Sequence, residues 1–131
     1  MIDYEKARRT MVDCQIRPND VTDFRLLEAF MDVPRERFVG SAQKPLAYID
    51  EDLPLGGATE NRYLMEAMSL SRLIQLADIS AEDFVLEIGC ASGYSTAILS
   101  RMANSVVGLE ADEALAEQAT QNLMALGYSN A

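Results

Sequence analysis

The chain has 131 residues, 49% of them hydrophobic, which is enough for one domain with a core; its net charge of −10 and lack of a basic stripe argue against nucleic-acid binding. With no histidine and only two cysteines, Cys14 and Cys90, the composition excludes a disulfide framework, Ser-His-Asp and Cys-His catalysis within this chain, and most zinc chemistry. Residues 1–6 lack the apolar core of a signal peptide and no apolar run could span a bilayer, so the expectation is a cytoplasmic protein with free thiols, no metal and no membrane partner.

In chain order, residues 3–15 suit an amphipathic helix with Tyr4, Ala7, Met11 and Cys14 on one stripe, broken at Pro18-Asn19. Thr22 is the expected N-cap of a second helix, with Asp23 in its first turn. That helix carries Phe24, Leu27 and Phe30 inward and ends near Val33-Pro34. Residues 35–48 read as irregular, with short helical turns. Leu53-Pro54-Leu55-Gly56-Gly57 reads as extended chain entering a turn. A third helix is expected over residues 61–77, with Leu64, Ala67, Ile74 and Ala77 on one face.

Residues 84–88 then form a short apolar run of the kind expected for a parallel strand covered on both faces. A glycine-bounded loop, residues 89–93, leads to a helix over 94–102. A second strand covers 105–109, and a last helix covers about 112–126, capped by Gly127. A strand–helix–strand crossover makes two parallel neighbours. Two strands leave both outer edges unpaired, so the expectation is the front portion of a longer protein, or self-association through the exposed edges. Residues 1–60 read as a helical, substrate-side segment, and residues 61–131 as the start of a Rossmann-like domain.

The loop carries the chemistry. Val85-Leu86-Glu87-Ile88-Gly89-Cys90-Ala91-Ser92-Gly93-Tyr94 runs from strand to helix, and a second acid, Glu110, follows Gly89 by 21 positions at the end of the next strand. A dinucleotide loop would need a third glycine where Tyr94 stands, and two acids suit a pyrophosphate poorly, so an NAD-binding reading is disfavoured. A cationic nucleoside such as S-adenosylmethionine (SAM) fits the pair better. In that reading Glu110 accepts the ribose hydroxyls, each bond worth about 1.5–3 kcal/mol. Glu87 lies towards the methionine amino group, Gly89 and Gly93 admit the ligand to the backbone, and the helix beginning at Tyr94 offers amides to the methionine carboxylate. Cys90, Ala91 and Ser92 complete the cofactor set. For Cys90 a small packing role is favoured over reactivity. No catalytic side chain is assigned. Methyl transfer from a sulfonium to an ionised carboxylate needs positioning and exclusion of water more than acid–base help.

At this point the chain resembles the protein-L-isoaspartate O-methyltransferase family over nearly its whole length. Val33-Pro34-Arg35-Glu36-Arg37-Phe38-Val39 is similar to its V-P-R-x-x-F-V segment, Ala47-Tyr48 and Leu53-Pro54-Leu55-Gly56 to its A-Y and L-P-I-G stretch, residues 85–94 to its glycine loop, and Leu126-Gly127-Tyr128 to its L-G-Y helix end. The resemblance implies an α/β, Rossmann-like SAM-dependent methyltransferase fold, of which this chain carries the N-terminal helices and the first two parallel strands. It also implies methylation of isoaspartyl carboxylates in damaged proteins, as a step of repair. Two departures stand out. Ala91 replaces the middle glycine, where a positive φ would cost about 1–2 kcal/mol. Tyr63-Leu64-Met65-Glu66-Ala67 fills the place of the family's T-I-S-x-P substrate run, so the substrate-side candidates are Tyr63, Met65 and, if the loop shifts, Thr59; for Met65, helix packing is the favoured role. A divergent methyltransferase, or a SAM-binding paralogue with another acceptor, therefore stands beside the isoaspartyl reading.

Overall fold

In the computed structural model, which describes residues 1–56 and 61–131, Asp3 starts the first helix by accepting the Lys6 amide at 3.0 Å. Helix α1 (Tyr4–Met11) widens into a π turn over Val12–Ile16 and tightens into a 3-10 turn over Arg17–Asn19. The wide turn shifts the helical register, so Met11, Val12 and Ile16 enter the core and Cys14, expected on the inner stripe, is exposed.

Helix α2 (Phe24–Asp32) is capped by Asp23, which accepts the Arg25 amide at 3.0 Å and the Leu26 amide at 3.4 Å. Thr22 was the sequence expectation for that cap, but the role falls to Asp23, one residue on; the amides of both donate to Gln75 Oε1, at 2.8 and 3.2 Å. The buried arc of α2 is Leu26, Leu27, Ala29 and Phe30, which leaves Phe24 on the opposite side at 77% exposure rather than inward. The next stretch folds as two 3-10 turns, Arg35–Phe38 and Ser41–Leu46, in keeping with the irregular reading.

Arg35 is fully buried and ties distant segments together. Its Nε donates to the Ala47 carbonyl at 2.7 Å, its Nη2 to the Met65 carbonyl at 3.0 Å, and its guanidinium lies 5.0 Å from the Tyr94 ring centroid.

Strands β1 (Leu53–Pro54) and β2 (Tyr63–Leu64) pair antiparallel, with Leu53 opposite Leu64, and the Leu55 amide extends the ladder to the Arg62 carbonyl at 2.8 Å. Helix α3 (Ala67–Ala77) therefore begins six residues later than expected. Tyr63 and Leu64 belong to the ladder, and Glu66 is non-helical (φ −53°, ψ 145°), with its amide on Asp52 Oδ1 at 2.8 Å.

The second sheet pairs β3 (Phe84–Ile88) in parallel with β4 (Ser105–Leu109), in the register Phe84–Ser105 through Ile88–Leu109. Helix α4 (Tyr94–Ser100) makes the crossover, and α5 (Glu113–Ala125), capped by Asp112 on the Leu115 amide at 3.1 Å, follows β4. The core cluster joins Phe30, Phe38, Leu53, Tyr94, Ile98, Val106 and Leu115, and so runs from the N-terminal helices to α5.

One face of this sheet lies open. Phe84, Leu86, Ile88, Val107 and Leu109 share it by register and are all more than half exposed. The expectation of a strand covered on both faces therefore fails for the described residues. An apolar run records what a strand is built to contact, and α4 and α5 supply only one such layer.

Candidate functional site

Parallel strands deliver their carboxyl ends side by side, and β3 and β4 carry Glu87 and Glu110 to the rim where the glycine loop turns. The loop is strained. Gly89 has φ +81°, Ala91 φ +51° and Gly93 φ +93°, so the alanine departure takes the positive φ rather than avoiding it, at a cost of about 1–2 kcal/mol. The strain holds amides in place. The Gly89 amide donates to the Leu109 carbonyl at 2.7 Å, and the Ala91 amide to Glu110 Oε2 at 2.8 Å.

The two glycines serve different ends. A Cβ on Gly89 would meet nothing within 4 Å, so open space lies above that backbone. A Cβ on Gly93 would lie 3.2 Å from the Ala119 Cβ, so Gly93 lets the loop pack against α5. Gly108 makes room for the Cys90 Sγ, which a Cβ there would approach to 3.0 Å. Cys90 is buried, and burial pushes its thiol pKa up, which fits packing rather than nucleophilic chemistry.

Glu110 is the best-held acid of the rim. Its side chain is 2% exposed, and Arg62 pairs with it through both guanidinium nitrogens, Nη1 to Oε1 at 2.7 Å and Nη2 to Oε2. The Asp112 amide donates to Oε1 at 3.1 Å. The Arg62 hydrogen bonds, aided by the two amides, hold this carboxyl down to about 2. Glu87 is the contrary case. Burial pushes its pKa up, and the hydroxyls of Ser95 and Thr96 partly offset this by donating to Oε1 and, at 2.8 Å, to Oε2. Ser95 and Thr96 were not anticipated as partners, although two hydroxyls in the first turn of a helix over an acidic strand end are a readable signal. Nothing in the sequence pointed to Arg62, 48 positions from its partner.

A cleft of about 390 Å³ follows the outer edge of β3 beneath α3 and reaches the loop. Its walls bring Glu87, Gly89, Cys90 and Ala91 together with Tyr63 and Met65. Met65, expected as helix packing, instead precedes α3 and is 41% exposed. Glu110 borders a second depression of about 280 Å³ along β4, and among the described residues Cys90 alone lines both. Ser92 and Tyr94 have fully buried side chains and line neither cavity. The Tyr94 ring packs edge-on against Phe38 and Phe30, with centroids 5.6 and 6.2 Å away, and burial raises its pKa to about 12. Thr59 lies outside the described residues. Among the described residues no cluster of three metal-ligating side chains exists, and no helix is long and apolar enough to cross a membrane.

Comparison with known proteins agrees with this geometry. Residues 6–131 match the family profile described as protein-L-isoaspartate(D-aspartate) O-methyltransferase (PCMT). A protein-L-isoaspartate O-methyltransferase of Roseiflexus sp. (strain RS-1) is 36% identical over 98% of this chain and 57% of its own length, and one from Protochlamydia amoebophila (strain UWE25) is 44% identical over 92% and 56%. This chain thus spans just over half the length of these relatives. A solved protein-L-isoaspartate O-methyltransferase superposes with a TM-score of 0.83 at 26% identity, over 94% of this chain and 40% of that one. A Plasmodium falciparum structure, described as a candidate member of the same enzyme class in complex with S-adenosyl-L-homocysteine, shares the fold at TM-score 0.72 and 16% identity, over 97% of this chain and 57% of that one. The sheet of β3 and β4 is accordingly part of a Rossmann-like methyltransferase fold, and the chain belongs to the protein-L-isoaspartate O-methyltransferase family.

Proposed function

We propose that this chain forms the cofactor-gripping part of a SAM-dependent O-methyltransferase that esterifies the stray carboxylate of isoaspartyl residues in damaged proteins, a repair reaction. Two unpaired cysteines, one of them exposed, suit work in the reducing cytoplasm. The observation that carries the reading is Glu110: an ionised carboxylate, nearly buried, pinned by loop amides at the carboxyl end of β4. Family membership supports it, as does the Plasmodium falciparum relative, which binds the demethylated cofactor.

The residues present fit such a cofactor. Space is open above Gly89, the carboxyls of Glu87 and Glu110 flank the loop with Arg62 paired to the second, and the cleft joins the loop to Tyr63 and Met65. In this reading Glu110 takes the ribose hydroxyls. The backbone of Gly89, Cys90 and Ala91 supports the amino-acid end, with Glu87 behind them. Ser92, Gly93 and Tyr94 contribute by fixing the loop against the core and α5. When bound, the cofactor supplies a methyl group already activated by its sulfonium. The protein's task is then to orient an acceptor carboxylate, ionised at neutral pH, and to exclude water. Tyr63 and Met65 form the acceptor-side wall, and Thr59 is a further candidate there.

The apolar sheet face and the outer edges of β3 and β4, the latter tied at Val106 to the Asn130 carbonyl at 2.9 Å, support self-association of this chain on its own. Light scattering should then give a mass that rises with concentration, and a constant monomer mass would refute this.

The functional test is transfer of labelled methyl from SAM to an isoaspartyl peptide and to its aspartyl counterpart by the intact protein. Base-labile label on the isoaspartyl peptide alone is expected. SAM binding without label on either peptide would assign a different acceptor.

A further inference from the structure

Glu110 has a carboxylate with about four acceptor positions, two per oxygen. All four are taken. Oε1 accepts Arg62 Nη1 at 2.7 Å and the Asp112 amide at 3.1 Å, and Oε2 accepts Arg62 Nη2 and the Ala91 amide at 2.8 Å. The two amides belong to the loop and to the cap of α5, and they cannot leave without unmaking the site. The two guanidinium bonds come from a side chain that is 29% exposed. A ribose diol also needs two acceptor positions on one carboxylate, and the two that can be vacated are those Arg62 fills.

The backbone arrangement makes that exchange local. The Arg62 carbonyl stays in the ladder by accepting the Leu55 amide at 2.8 Å, so the side chain can swing out while β1 and β2 keep their register. The next residues along that strand are Tyr63 and Leu64, followed by Met65, all on the wall of the cleft.

We propose that Arg62 is a displaceable internal plug: its guanidinium occupies the diol-binding positions of Glu110, and the nucleoside must evict it to bind. The proposal rests on the reading of Glu110 as the ribose acceptor. Two consequences follow. Cofactor affinity is held below what the carboxylate could give, because two neutral hydroxyls replace two charge-assisted bonds. Occupancy of the nucleoside site also frees a cation next to the acceptor wall, where it can meet an anionic substrate, so the two ligands bind in a coupled order.

The test is calorimetric titration of S-adenosylhomocysteine into the intact protein as wild type, Arg62→Met, Arg62→Lys and Glu110→Ala. Arg62→Met should bind about tenfold more tightly. Arg62→Lys, which keeps a point charge without the fork, should fall between, and this variant carries the test if Arg62→Met does not fold. Wild-type affinity should rise severalfold between about 50 and 500 mM salt as the partly exposed pair is screened, while Arg62→Met stays flat. Equal or weaker binding by both Arg62 variants, with Glu110→Ala still defective, would overturn the plug and leave the ribose role of Glu110 intact. Absence of S-adenosylhomocysteine binding by wild type and Arg62 variants alike, or undiminished binding by Glu110→Ala, would overturn the nucleoside reading and the plug with it.

Discussion

Glu87 and Glu110 stand at the carboxyl ends of adjacent parallel strands, and their surroundings drive them in opposite directions. Glu110 has a guanidinium and two amides around it, and its carboxyl is held down to about 2. Glu87 has only hydroxyl partners and a buried position, and its pKa is pushed up. The residue type is the same; the difference lies in whether desolvation is answered by charge or by neutral dipoles. The lesson for the site is a division of labour. Glu110 is a permanent anion suited to recognition, whereas Glu87 braces the first turn of α4 from below.

Acid titration should expose this contrast most strongly. Glu110 ionises more readily in the folded chain than at the ordinary 4.5, so its contribution is fully present above about pH 5 and is lost as pH falls through about 2. The expected loss is at most about 3 kcal/mol, read from urea midpoints at stepped pH. Glu87 has the opposite sign: its raised pKa favours the folded state below the ordinary value, and stability is lost as pH rises through the folded pKa. Replacing Arg62 by Met should flatten the acid limb and leave the Glu87 limb in place.

The next effect concerns the loop that separates the two acids. Gly93→Ala combines a φ of +93° with a Cβ only 3.2 Å from that of Ala119, and should cost about 2–3 kcal/mol in thermal or denaturant unfolding. Glu87→Gln keeps the hydrogen bonds to Ser95 and Thr96 while removing the charge. It should stay within about 1 kcal/mol of wild type at pH 7 and abolish the stability decline at higher pH. Ala91→Gly is the smallest change and the only one expected to stabilise. Relief of strain at φ +51° outweighs the extra freedom of the unfolded chain by about 0.5–1 kcal/mol.

Much of this architecture was legible in the residues. The strands at 84–88 and 105–109, the glycine turn between them and the second acid after β4 follow from hydrophobic runs and spacing, which are local properties of the chain. The misplacements have separate causes. A local π turn rotates Cys14 outward, Asp23 takes the cap expected at its neighbour Thr22, and pairing with β1 removes Tyr63 and Leu64 from α3. Phe24 misled because an i, i+3, i+6 series matches the helical period without showing where the buried arc begins. The site was half readable because its parts differ in their range along the chain. The loop and both acids are local to the crossover, whereas Arg62 reaches Glu110 from an element whose position is a tertiary fact.

In the proposed reading Glu110, rather than Glu87, is the anion that grips a nucleoside cofactor. The direct measurement is the dissociation constant of S-adenosylhomocysteine for Glu110→Ala and Glu87→Gln, side by side in the intact protein. Glu110→Ala should lose about a hundredfold, from two charged hydrogen bonds of about 1.5–3 kcal/mol each less the roughly tenfold regained because Arg62 need no longer be evicted, and Glu87→Gln no more than about threefold. Equal losses in the two variants, or unimpaired binding by Glu110→Ala, would contradict it.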